Sequence, residues 1–79
     1  MSHTIRVAPA PGGWSVEADG LSAPLMFRSG GRAEAAARNI AQAFAAVGLH
    51  SELRVFIRDG SLAGHFICPP DAVSEPTPL

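Results

Sequence analysis

Lysine is absent from this chain, and cysteine occurs once. Without lysine there is no Schiff-base amine and no P-loop ammonium. With Cys68 alone, no disulfide forms within one chain, which fits a reducing compartment. No apolar run approaches the roughly 20 residues of a membrane helix, so no membrane partner is expected. No charged-then-apolar leader opens the sequence, and the expected setting is cytoplasmic. A basic excess is missing too: the formal net charge is −1, unlike that of a dedicated nucleic-acid binder. The Ala, Arg, Gly and Pro bias fits a GC-rich bacterial genome. Seventy-nine residues allow one small domain, expected over residues 3–69. Residues 70–79 are proline-rich and polar, and are expected to be unstructured.

What is present is organised around one helix, expected over residues 32–47. Ala33, Ala36, Ala37, Ile40, Ala41, Phe44 and Val47 recur at three- and four-residue spacing and form one apolar stripe. Ser29 or Gly31 is a candidate cap, Glu34 and Arg38 form an i,i+4 pair, and Gly48 is the expected stop.

Short alternating segments flank the helix. Ile5 and Val7 share one face of a strand over residues 3–8, and Trp14, Val16 and Ala18 share one face over 14–18. Asp19-Gly20 predicts a two-residue hairpin that sets Ala18 opposite Leu21, Val16 opposite Ala23 and Trp14 opposite Leu25. Pro24 lacks an N–H, so the third strand is an edge or starts late. Over residues 52–58, Leu53, Val55 and Ile57 alternate with Arg54, Phe56 and Arg58. Asp59-Gly60 predicts a second two-residue turn, with Val55 opposite Gly64, Leu53 opposite Phe66, Phe56 opposite Ala63 and Arg54 opposite His65. A three-residue turn with a bulge is rejected, because it is expected to carry His65 to the core face.

The order is β-β-β-α-β-β, and the fold class is α+β: a mainly antiparallel sheet with one helix packed on one face. Trp14, Val16, Phe27, Ile40, Phe44, Val55, Ile57 and Phe66 are the expected centre of the core.

His3 with Val7 and Pro9, Gly13-Trp14-Ser15-Val16, Glu34-Ala35 and Arg58-Asp59-Gly60 together resemble a small bacterial family of unknown function. The likeness covers roughly residues 4–62. It departs at Gly30-Gly31, before the helix, and in lacking a lysine-rich surface and tail. The resemblance implies a small α+β fold and brings no activity or site residues with it.

Chemistry-bearing motifs are few. His65-x-x-Cys68 has a spacing that suits a metal, yet a structural zinc site needs about four ligands and these two side chains point to opposite faces of a strand. The serines sit in turns or the tail with no nucleophile elbow, and neither Gly-Gly pair is a phosphate loop. No catalytic residue, metal or cofactor is expected. The unusual feature is the sheet face left bare by the helix. By alternation it collects Arg6, Arg28, Arg54 and Arg58 with Phe56 and His65, and these six are the candidate binding residues. Arginine and aromatic residues favour interfaces. The expected function is a non-catalytic interaction module that forms a homodimer through this face. The alternative is a weak nucleic-acid-binding domain that uses the same arginines.

Overall fold

The strand β1 (Ser2–Ala10) is the middle of a five-stranded sheet, and that position decides where the core sits. β2 (Gly13–Ala18), β3 (Leu25–Phe27), β4 (His50–Phe56) and β5 (Leu62–Cys68) complete it in the order β3-β2-β1-β4-β5. One helix, α1 (Gly30–Ala46), joins β3 to β4. This computed structural model describes residues 2–69, and the expectation for residues 70–79 lies outside them. The element order and the α+β class are as the sequence indicates. Three strand pairings are antiparallel and one, β1 with β4, is parallel, so the sheet is mixed. β1 and β3 both run against β2, so β1, β3 and β4 all point the same way. The helix therefore crosses from the β3 edge over two strands before β4 begins.

A central strand has neighbours on both sides and the helix above it. Ile5 and Val7 are accordingly fully buried, with Val16 and Leu53 beside them. Trp14, Phe27, Ile40, Phe44 and Val55 pack around that cluster as expected. Ile57 and Phe66 do not belong to it: they are 42% and 41% exposed. Ile57 lies past the end of β4, and Phe66 sits on an edge strand, half-covered by the Arg38 guanidinium 5.1 Å above its ring.

Ser29 caps the helix, its hydroxyl accepting from the Arg32 N–H at 3.1 Å. At the other end Gly48 (φ 82°) donates to Ala45 and Leu49 donates to Phe44, the paired bonds of a Schellman stop. The buried line of α1 is Ala33, Ala37, Ala41 and Ala45. The expected stripe ended instead on Val47, which is the C-cap residue and 71% exposed. Four alanines at i+4 spacing let the helix backbone approach the sheet closely, while Ile40 and Phe44 fill its flanks.

Both hairpins depart from the expected two-residue turns. After Asp19-Gly20 the chain does turn, with the Leu21 N–H donating to Ala18. However, Asp19 is held by β1. Its N–H donates to the Thr4 carbonyl, and its carboxylate accepts from the Thr4 N–H at 3.1 Å. Pairing with β2 resumes only after Pro24, setting Val16 opposite Leu25 and Trp14 opposite Phe27. The slip is two residues, so the faces are preserved, but Leu21 and Ala23 end up exposed in the loop.

The second hairpin takes the rejected three-residue turn. The Ile57 N–H donates to the Ser61 carbonyl, and Gly60 (φ 87°) supplies the left-handed residue that such a turn needs. A bulge then sets Phe56 opposite Leu62 instead of Ala63. It absorbs the extra residue, so His65 stays opposite Arg54 on the open face.

Candidate interaction surface

Registers fix the open face row by row. Glu17, Arg6, Arg54 and His65 form one row across β2, β1, β4 and β5. Thr4, Glu52 and Ile67 form the next. The face thus sets two arginines side by side at its centre, with Glu17 beyond Arg6 and Glu52 in the next row. Glu52 joins the rows: its carboxylate accepts from Arg54 at 3.2 Å and from the His65 ring nitrogen Nε2. The His65 hydrogen bond, helped by Arg54, holds the Glu52 carboxyl below the ordinary glutamate range against a smaller opposing effect of burial.

Of the six candidate residues, Arg6, Arg54, Phe56 and His65 come together on this face. Phe56 is half-buried, because the Arg6 guanidinium lies 5.0 Å above its ring. Two other large apolar side chains of this face lie apart from it. Met26 is on β3, at the far edge of the sheet, and Ile67 belongs to the Glu52 row.

Arg28 and Arg58 are elsewhere, at the end of the sheet where β1, β3 and β4 finish. Arg28 follows β3, and Arg58 lies in the β4–β5 turn. Together with Trp14, Pro9 of β1 and Pro11 of the β1–β2 turn they line an open cleft of about 570 Å³. Neither makes an ion pair among the described residues. Asp59 sits in the same turn as Arg58. Its carboxylate accepts from the Ser61 hydroxyl and N–H, which hold it below the ordinary aspartate range.

Two features had no signal in the sequence. Next to the core, the registers bring His3, Ser51 and Cys68 into one row across β1, β4 and β5. Ser51 is fully buried, and neither its hydroxyl nor the His3 ring nitrogen Nδ1 has a hydrogen-bond partner among the described residues. The second feature is the β5 edge, where Leu62, Phe66 and Ile67 are exposed.

His65 and Cys68 face opposite sides of β5. Among the described residues no group of three or more His, Cys, Asp or Glu side chains is gathered for a metal, and no helix is long and apolar enough to cross a membrane. Comparison with protein-family models, curated proteins and solved structures returned no match for this chain.

Proposed function

We propose that this protein is a non-catalytic interaction module that self-associates through its sheet, and that the contact is centred on β5 and the adjoining strip of the open face. The observation that carries this reading is the contrast between the two sheet edges. β3 has three residues and is preceded by Pro24, which keeps other strands off. β5 has seven residues with no proline, lysine or arginine. A bulge disrupts its turn end, leaving residues 64–68 as a regular edge with no further strand beside it among the described residues. Ile67 (56% exposed) and Leu62 border it on the open face, and Phe66 borders it on the helix side.

The occupant is a second copy. Two identical edges pair antiparallel about a two-fold axis, which closes the assembly at a dimer. The core favours such support, since its helix contributes mainly alanines and a domain this small buries little surface on its own. Light scattering behind a sizing column tests the reading. Wild type is expected to be a dimer at about 100 μM, in the range of ordinary micromolar self-association. Ile67→Lys puts a charge on the edge and is expected to give a monomer with an unchanged circular dichroism spectrum. A monomeric wild type, or a dimeric Ile67→Lys variant, overturns it.

A further inference from the structure

Arg28 and Arg58 are brought to one cleft from opposite halves of the chain, and nothing in the described residues neutralises them. We propose that this cleft is a binding site for a phosphate monoester attached to a planar base, carried by a free nucleotide or by the phosphorylated end of a single strand. The site lies apart from the β5 edge and does not depend on self-association.

Topology places the positive charge. The cleft is at the end where the three co-directional strands β1, β3 and β4 finish. The amino end of α1 begins two residues after Arg28, past the Ser29 cap, and turns the positive pole of its dipole to the same end. Two guanidiniums suit a dianion better than a single carboxylate does, and each is able to hold phosphate oxygens through two N–H groups. The nearby carboxylate, Asp59, is bonded back into its own turn by Ser61 and does not compete.

The walls supply the planar part. Trp14 lines the cleft beside Pro9 and Pro11. Its indole is braced against the helix start, where a Cβ on Gly30 would sit 3.0 Å from the ring. The indole is half-buried, and the part of it that lines the cleft is held in place as a platform for a planar group. A volume of about 570 Å³ lies in the usual range for small-molecule sites. A second concavity, lined by Arg6, Phe56 and Arg58, adjoins the first through Pro9 and Arg58 and offers a path for a following nucleotide.

Trp14 is the sole tryptophan, so its fluorescence reports on the cleft directly. The full chain is titrated at constant ionic strength with adenosine monophosphate, adenosine, inorganic phosphate, and a single-stranded oligonucleotide with and without a 5′-phosphate. The monophosphate is expected to give a saturable change, and adenosine none. A stronger response to the phosphorylated oligonucleotide than to the monophosphate identifies a strand end as the source; the reverse identifies a free nucleotide. Arg28→Ala and Arg58→Ala are each expected to weaken binding about tenfold or more, the loss of roughly one charge-assisted contact. Arg38→Ala, paired with Glu34 on the helix, is expected to bind as wild type does. Circular dichroism checks that each variant is folded. The proposal is overturned if neither the monophosphate nor the phosphorylated oligonucleotide saturates by about 10 mM, beyond ordinary weak affinity. It is also overturned if adenosine binds equally, or if both arginine variants bind like wild type.

Discussion

The two faces of this sheet are made from the same strands and opposite materials. Under the helix lie Ile5, Val7, Val16 and Leu53, closed over by a line of alanine methyls. On the other side Glu17, Arg6, Arg54 and His65 stand next to one another, with Glu52 tying two of them together. Neighbours in sequence, such as Ile5 and Arg6, belong to different environments. The covered face holds the fold, because apolar burial contributes about 25 cal/mol per Å². Charges on the bare face are screened by water and contribute less, so they are free to serve recognition. The sharpest way to break this contrast is to truncate those two neighbours. Ile5→Ala is expected to cost about 2–5 kcal/mol, a large share of the roughly 5–15 kcal/mol that holds a typical domain together. Arg6→Ala loses a cation–π contact with Phe56, about 0.5–1 kcal/mol at an exposed site. Urea unfolding measures both, and equal losses would mean that the open face is structural after all.

The division between faces was legible in the sequence because a period of two survives errors elsewhere. Trp14 and Val16 kept their side although the first hairpin slipped by two residues, and His65 kept its side because a bulge cancelled the extra turn residue. The cap residues were legible because Ser29 and Gly48 act within a few residues of themselves, although the helix begins at Gly30, two residues before the expected start, and ends at Ala46, one before the expected end. Turn lengths were not: the second is set by Ser61 bonding back to Asp59 and Ile57, which selects three residues over two, and the first depends on a group far away in sequence. Asp19 is drawn to Thr4 of β1, fifteen residues back. Strand order was out of reach for the same reason, and with it the burial of Ile5 and Val7 in the central strand. The candidate site divided along the same line. Alternation alone placed Arg6, Arg54, Phe56 and His65 together. The meeting of Arg28, Arg58 and Trp14 at one sheet end needed the crossover that carries α1 over two strands.

Ser51 is the exception on the covered face, and it sharpens the comparison by reversing the usual sign. Its hydroxyl is fully buried with no partner among the described residues, between His3 on β1 and Cys68 on β5. A hydroxyl taken out of water without a new hydrogen bond is destabilising. Ser51→Ala removes it and leaves a side chain of nearly the same size. The expected outcome is a gain of about 1 kcal/mol. In a domain of this size that raises the melting temperature by roughly 4–8 °C. A loss of similar size would show that the hydroxyl is bonded in solution, with His3 and Cys68 as the nearest candidates.

The smallest effect belongs to the charged centre of the bare face. His65, with help from Arg54, holds Glu52 ionised to lower pH than an ordinary glutamate. A carboxyl whose pKa falls on folding stabilises the fold above its unfolded value, and that contribution disappears as pH drops through the folded value. Glu52→Gln keeps the shape and removes the charge, leaving Arg54 and His65 without their carboxylate. The variant is expected to be slightly less stable than wild type at neutral pH. The two curves of stability against pH are expected to converge once the medium is acid enough to protonate Glu52 in the folded protein. The arrangement is exposed at the surface, so added salt is expected to narrow the neutral-pH gap. A gap that persists at low pH would mean that Glu52 acts through packing. A gap as wide as that of Ile5→Ala would place part of the stability on the bare face.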